Sequence, residues 1–197
     1  MMKTTAFLGI ALALGGCVKI GGGKPPALLL NLTSAVRVAP DDARMARAGE
    51  MITIGVPGVP QAIATNRVAV NDGDTSIAYV KDAQWVEPPA RLFQRLLSET
   101  VAAKTGKMVL DPRQFAVEPG TQLAGQLRQF GIDASRSEAV IVYDAALMRD
   151  HGKQISTRRF EARIGVGVIA AGPAGTALNR AANQIAGAVA DWIVGQK

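Results

Sequence analysis

The sequence has 197 residues, with 22 Lys and Arg against 16 Asp and Glu, a formal net charge of +6 and a single cysteine. One cysteine excludes an intrachain disulfide and a cysteine-ligated cluster, so the fold has to be stable without them. The basic residues are scattered and only 5% of the residues are aromatic, which offers no stacking platform and argues against a nucleic-acid partner.

The N-terminus has the pattern of a bacterial lipoprotein signal peptide. Lys3 precedes an apolar run over residues 4–14 that is too short to cross a membrane as a helix, and the tetrapeptide LGGC follows at residues 14–17. This tetrapeptide resembles a lipobox, which predicts cleavage between Gly16 and Cys17. Cys17 would then carry a thioether-linked diacylglycerol and an N-acyl chain such as palmitate. The alternative is an ordinary cleaved signal peptide with an incidental cysteine.

We divide the chain into residues 1–16, a cleaved signal peptide, residues 17–26, a lipidated N-terminus with a flexible Gly/Pro tether, and residues 27–197, a single α/β domain. Two or more acyl chains give stable membrane attachment, and the covalent lipid on Cys17 is the only non-protein group we expect. Residue 18 is Val rather than the Asp that favours inner-membrane retention. The predicted location is therefore the cell envelope, on the inner leaflet of the outer membrane facing the periplasm.

The first half of the domain is predicted to contain mostly strands. Residues 27–33 indicate an apolar strand, residues 34–50 show no steady period and indicate a loop, and residues 51–56 alternate as a second strand. Residues 66–70 and 76–80 indicate a hairpin around a turn at 71–74. Pro88 and Pro89 then open a helix with one apolar stripe, and Gly106 ends it.

The second half is predicted to continue with strands and to end in a helix. A short strand covers residues 107–110, and a long one covers 121–133, where a change in apolar phase predicts a bulge near Arg128 and Gln129. Residues 138–148 and 154–166 indicate two further strands joined by a turn at 150–153. A helix over about 176–194 has one apolar stripe. The sequence therefore predicts an α/β layered sandwich of a mainly β-sheet with two principal helices packed on it.

The sequence contains no catalytic or metal-binding pattern that supports an assignment. The only histidine, His151, lies in a polar turn without a cysteine nearby, so we expect it to be solvated rather than catalytic or metal-bound. We assign no catalytic residue and no metal ligand. A periplasmic hydrolase remains as a remote alternative, in which Asp144 or Glu161 would act; both are predicted to lie on strands and to be unpaired.

The segment over residues 77–89 connects a predicted strand to the first helix and contains Tyr79 and Trp85. Amphipathic rings are common at interfaces with a membrane or a partner, so these two residues, together with Arg91 on the helix, are candidate contact residues. The alternative for Trp85 is a core position that covers the end of the first helix. The sequence leaves both interpretations open.

Seven stretches of the chain, beginning with the lipobox at Cys17, resemble the ABC-type transport auxiliary lipoproteins, which accompany transporters built around mammalian-cell-entry (MCE) domain proteins. The other six are ITIGVPGVP with NRVAV, SIAYVKDAQWVEPPARLFQRLLSETV, MVLDPRQ, QLAGQLRQFGIDA, ISTRRFEARIGV and ALNRAANQIAGAVADWI. They occur in one order and cover nearly all of the chain from residue 51. None of them is an enzymatic motif.

The resemblance implies a non-catalytic, lipid-anchored periplasmic component of an MCE-type ABC transporter for phospholipid or other lipid trafficking between the inner and outer membranes. The implied partners are the membrane, the MCE-domain protein with its permease and ATPase, and further copies of the same chain. It fixes no partner-contact residues. A different binding function, in lipopolysaccharide or peptidoglycan assembly, is the main alternative. Residues 34–50 form an insert that the resemblance does not explain.

Overall fold

In a computed structural model, residues 28–40, 45–47, 50–111 and 120–196 are described. The predicted signal peptide, Cys17 and the tether lie outside these residues. The strands are β1 (Leu28–Leu30), β2 (Met51–Ile54), β3 (Arg67–Asp72), β4 (Ser76–Trp85), β5 (Met108–Leu110), β6 (Gln122–Asp133), β7 (Glu138–Arg149) and β8 (Gln154–Gly165). The two α-helices of the described chain are α1 (Pro89–Thr105) and α2 (Ala171–Gly195).

All eight described strands belong to one mixed sheet. Strands β6, β7 and β8 form an antiparallel meander of three 12-residue strands. The other edge of β6 is shared, because its beginning pairs in parallel with β2 and its end pairs in parallel with β3. Strand β5 lies beyond β2, and β4 and then β1 lie beyond β3. The predicted fold class, a sandwich of a sheet and two helices, is confirmed.

The predicted bulge in β6 is present at Arg128. The pairing of β6 with β7 changes register between Leu127 and Gln129, so Arg128 is the extra residue. This shift brings Phe130 to the same side as Leu127, and both side chains are buried. The change in apolar phase along the sequence is therefore the direct consequence of the bulge.

Both helices lie on one face of the sheet with their apolar stripes turned inward. Of α2, the five residues of the predicted stripe are all buried: Leu178, Ala182, Ile185, Val189 and Trp192. The helix begins at Ala171, five residues before the predicted start, with Pro173 in its first turn. Proline is tolerated there because the N–H groups of the first turn have no partner within the helix.

Tyr143 of β7 occupies the centre of the helix-covered face. Its ring meets the ring of Phe93 of α1 edge-on, with 5.1 Å between centroids. Its hydroxyl donates a hydrogen bond of 3.3 Å to the carbonyl oxygen of Ala124, and burial raises its pKa. Gly125 makes room for this ring, since a Cβ at that position would lie 2.7 Å from it and would also meet the backbone carbonyl of Asp144.

A strap of residues 31–38 follows β1 and runs along α2. Asn183 holds it at two points, accepting a hydrogen bond from the backbone N–H of Ala35 (2.7 Å) and donating one to the carbonyl oxygen of Thr33 (2.9 Å). Asn179 accepts a further bond from the N–H of Thr33 at 2.9 Å. The first strand is therefore shorter than the predicted 27–33, because the backbone after Leu30 bonds to helix side chains instead of a neighbouring strand.

The strap also contacts α1. The hydroxyl groups of Ser34 and Thr100 share a hydrogen bond of 2.9 Å, and the backbone N–H of Val38 donates to the carboxylate of Glu99 at 2.8 Å. Part of the predicted 34–50 loop is thus fixed across both helices. No helix within the described residues is long and apolar enough to span a membrane.

Candidate interaction surface

The face of the β6–β7–β8 meander opposite the helices, called the open face below, carries two clusters of charged side chains among apolar side chains of β7 such as Val142 and Met148. Side chains alternate along β8, so that Phe160 and Ala162 are buried while Arg159, Glu161 and Arg163 lie on the open face. Period-two alternation of this kind is the expected outcome for an antiparallel sheet with one face covered. The open face is therefore available for contact over the length of β8.

Asp144 is the centre of an ion-pair cluster on the open face. Arg159, directly opposite on β8, donates to its two carboxylate oxygens at 2.6 and 2.8 Å, and Arg128 from the β6 bulge donates at 2.9 Å. Bidentate arginine–carboxylate pairs of this type fix geometry as well as charge. These hydrogen bonds, Arg159 first and Arg128 second, hold the pKa of Asp144 well below its usual range.

Arg163 is the centre of a second cluster on the same face. It donates to Glu161 at 2.6 Å and to Glu138 at 3.4 Å, and the carboxylate of Asp133 lies 3.8 Å away. The hydrogen bond to Glu161 is the main cause of the raised pKa of this guanidinium. The open face is thus a surface of opposite charges that neutralise one another rather than a field of one sign.

The two carboxylates that the hydrolase alternative needs lie on strands as predicted, but the prediction that they are unpaired is wrong. Asp144 is held by two arginines, and Glu161 is held by Arg163. The lowered pKa of Asp144 keeps this carboxylate ionised near neutral pH, so it cannot deliver a proton as a general acid. The ion pairs of Asp144 and Glu161 therefore give no support to the hydrolase alternative.

Shallow depressions lie beside both clusters. One of about 760 Å³ covers the Asp144 cluster, between Gln126 and Thr157. Another of about 550 Å³ lies between the β3–β4 turn and the β6–β7 turn and reaches Arg163. Within the described part of the chain, no three His, Cys, Asp or Glu side chains converge as a metal site.

Strand β8 is also an edge of the sheet, since among the described strands it pairs only with β7. A long edge strand is a template for pairing with another chain, and charged side chains are a common way to limit that pairing. Arg158, Arg159, Glu161 and Arg163 provide such charges here. Contact at this edge therefore requires a partner that satisfies these charges.

The candidate contact residues Tyr79, Trp85 and Arg91 do not form a common surface. Trp85 is 1% exposed and packs edge-on against Phe130 with 5.5 Å between ring centroids, so the core interpretation is correct and the contact interpretation is wrong. Tyr79 is partly exposed, with the guanidinium of Arg67 3.6 Å above its ring centroid. Arg91 is exposed near the start of α1.

His151 lies in the β7–β8 turn and is exposed, with a backbone φ of 55°. Its backbone N–H donates to the carbonyl oxygen of Gly120 at 3.3 Å. Cys17 and the cleavage site after Gly16 lie outside the described residues. Arg128, Arg159 and Arg163 do not stand out as a group in the sequence. The alternating charges of Arg159, Glu161 and Arg163 are the part of the sequence that could have indicated this charged surface.

The described residues define an α/β sandwich with one face covered by helices and one open face that carries the Asp144 and Arg163 clusters. Two crystal structures share this fold over almost their whole length. One is described as an uncharacterized protein, with a TM-score of 0.67, 15% identity, and coverage of 84% of this chain and 97% of that one. The other is from Xanthomonas campestris and is assigned to DUF330, with a TM-score of 0.66, 18% identity, and coverage of 86% and 97%.

A PelC dodecamer from Paraburkholderia phytofirmans has a TM-score of 0.41 at 9% identity, covering 73% of this chain and 90% of that one, a similarity too low to bear on fold or assembly. No curated protein matches the sequence. The chain belongs to the family described as the ABC-type transport auxiliary lipoprotein component, whose model matches residues 30–193. The family description implies association with an ABC transport system and with the cell envelope.

Proposed function

We propose that this protein is a lipid-anchored, non-catalytic periplasmic component of an MCE-type ABC transporter that moves phospholipid or other lipids between the inner and outer membranes. The observation that carries the proposal is the family match over residues 30–193, which extends from β1 almost to the end of α2. Cys17 carries the lipid anchor in the inner leaflet of the outer membrane. The role of the domain is to bind, not to react.

The charge pairing of the open face supports a role without catalysis. Asp144, Glu161 and Glu138 each have an arginine partner within 3.4 Å. A general acid or base needs a pKa near the working pH, which burial or like charges provide and which arginine partners oppose for a carboxylate. These side chains are suited to holding a surface in one geometry.

We assign the contact with the MCE-domain protein to the open face. The opposite face is covered by α1 and α2, and the strap closes part of the helix layer. The open face combines exposed side chains, paired charges and an edge strand, which together allow specific polar contacts. Because these charges are already paired, a partner does not need to supply a field of opposite sign, but it has to offer donors and acceptors that replace the water lost from the ion pairs.

The experiment that tests the proposal is a pull-down of the lipidated protein from cross-linked cell envelopes, followed by mass spectrometry. Recovery of an MCE-domain protein with its permease and ATPase is the expected result. Recovery of lipopolysaccharide or peptidoglycan assembly factors instead would contradict it and favour the assembly alternative. Cross-linked multiples of the chain itself in the same sample would report homo-oligomers, which the proposal includes.

Cys17→Ala is the matched control. The variant should keep the fold, because Cys17 precedes the described domain, and it should leave the membrane fraction after a carbonate wash. A variant that stays in the washed membranes would contradict the lipid anchor while leaving the partner assignment to be decided by the pull-down.

A further inference from the structure

An exposed apolar group of residues lies where β8 connects to α2. Residues 164–178 contain no charged side chain. Within this stretch Val168 is 66% exposed and Ile169 is 37% exposed, and Pro173 is exposed in the first turn of the helix. Together with Leu28 and Leu29 at the start of β1, these residues are called the apolar end below.

The backbone holds these side chains outward. The N–H of Val166, whose side chain is buried, donates to the carbonyl oxygen of Ser137 in the β6–β7 turn at 2.7 Å. The N–H of Ala170 donates to the carbonyl oxygen of Val168 at 2.9 Å, which closes a tight turn just before α2. Val168 and Ile169 are thus presented to the surroundings by a bonded turn.

The contacts along α2 bring the start of β1 to this same end. Ala35 bonds to Asn183 and Thr33 bonds to Asn179, and the side chain of Leu30 packs against Gly175. Two residues of extended chain advance about 6.6 Å, close to the ~6 Å of four helical residues. If the chain before Leu30 follows α2 at the same rate, Leu28 lies beside Ala171, the first residue of the helix.

The apolar side chains are therefore concentrated rather than scattered. Among the described residues, four of the eleven large hydrophobic side chains that are exposed belong to the apolar end: Leu28, Leu29, Val168 and Ile169. Leu29 is 59% exposed. Single exposed apolar side chains are ordinary, but a cluster indicates contact with a partner or a membrane.

The position of the lipid anchor selects the membrane as the occupant. Cys17 precedes Leu28 by eleven residues, a stretch that spans at most about 40 Å when fully extended. The anchor therefore limits Leu28 to about 40 Å from the lipid surface, and the apolar end, which adjoins Leu28, is the part of the described domain with the shortest tether to the membrane. An uncharged stretch is compatible with the headgroup region, where a carboxylate would be repelled by lipid phosphates.

We propose that the apolar end rests on the membrane that holds the lipid of Cys17, with Val168 and Ile169 inserted at the boundary of headgroups and acyl chains. This inference rests on the proposed lipid anchor. It gives the domain one orientation, in which α2 points away from the membrane from its first turn. Interfacial apolar groups of this kind insert by about 5–10 Å.

The test uses the mature lipidated protein in phosphatidylethanolamine–phosphatidylglycerol vesicles. Val168→Cys is labelled with the environment-sensitive dye NBD, which is possible because the thiol of Cys17 is consumed by its thioether. Val194→Cys is the matched control, since Val194 is 42% exposed near the other end of α2, about 35 Å along the helix from its first residue. Doxyl-labelled lipids report the depth of each label.

The expected result is a shift of NBD emission to shorter wavelength and quenching by the doxyl lipids at position 168, with neither at position 194. In a second experiment the NBD label is placed at Leu29→Cys. The doxyl lipids should quench this label in the otherwise unchanged protein, and the quenching should be lost when Ile169→Asp is added. If the protein floats with the vesicles but the labels at 168 and 194 are equally exposed to water, the inference is overturned. Shielding of position 168 only after protein partners are added also overturns it and assigns the surface to a protein contact. A protein without lipid on Cys17, which does not float, overturns both the inference and the proposed anchor.

Discussion

Replacing Trp85 with Ala separates its role in the core from a role in partner contact. The indole is fully buried at the end of β4 and packs edge-on against Phe130 of β6. Its removal leaves a cavity beside Phe130 in the hydrophobic core, among strands that the rest of the sheet holds in place. Large-to-small substitutions of buried aromatic residues cost about 3–5 kcal/mol, including the cavity left behind.

For a domain of this size, each kcal/mol lowers Tm by about 2–4 °C, so Trp85→Ala should lower Tm by about 6–20 °C. Thermal unfolding followed by circular dichroism measures the shift without depending on the fluorophore that is removed. Val86→Ala is the matched control, because the adjacent Val86 is 43% exposed and its truncation should change stability by less than about 0.5 kcal/mol.

A Trp85→Ala variant with the Tm of the parent protein and a reduced yield of partner in the envelope pull-down would refute this reasoning. That outcome would mean that the indole reaches a partner, as the sequence alone allows. Equal losses in the Trp85 and Val86 variants would also refute it, because they would show no difference between a buried and an exposed position.

Three further predictions follow from the described contacts. Gly125→Ala should lower the free energy of unfolding by about 1–3 kcal/mol in urea titrations, because its Cβ would meet Tyr143; Gly165→Ala, with no atom within 4 Å of the added Cβ, should not. Asp144 has a lowered pKa in the folded protein, so its stabilising effect is present above the unfolded carboxyl pKa of about 3.9 and is lost as the pH falls below it. The stability difference between the parent and Asp144→Asn should therefore shrink below pH ~4, and a constant difference down to pH 2 would contradict the pairing. Asn183→Ala should speed hydrogen exchange at the N–H of Ala35, its 2.7 Å partner, without changing exchange within β7; unchanged exchange at Ala35 would show that the strap is held by other contacts.

Local pattern was enough to predict the features that depend on periodicity. The bulge at Arg128 follows from the change of apolar phase between Leu127 and Phe130, because a strand can keep both inward only by adding one residue. The apolar stripe of α2 follows in the same way from the spacing of its large side chains. The bulge and the apolar stripe depend on residues that are close together in the sequence, so a short segment is sufficient to predict each of them.

Features that depend on distant residues were not predicted. The strap forms hydrogen bonds with Asn179 and Asn183, which lie more than 140 positions later in the chain. The sequence of residues 31–38 does not indicate these partners. The pairing of Asp144 with Arg159 requires the register of the β7–β8 hairpin, and without it both residues look unpaired.

The role of Trp85 and the start of α2 were not predicted correctly, for different physical reasons. Trp85 could not be assigned because an indole suits a core and an interface equally well. The predicted start of α2 is five residues too late, because the glycine-rich stretch before Thr176 indicates a flexible loop, whereas the helix already begins at Ala171 and accepts Pro173 in its first turn.

The measurement that tests the central claim most directly is site-specific photo-cross-linking in intact cell envelopes. A photoreactive amino acid replaces Thr157 on the open face or, as the control, Gln184 on the exposed side of α2. We predict that the MCE-domain protein is cross-linked from position 157 and not from position 184. Cross-linking of that protein only from position 184, or of no transporter component from either position, would contradict the account.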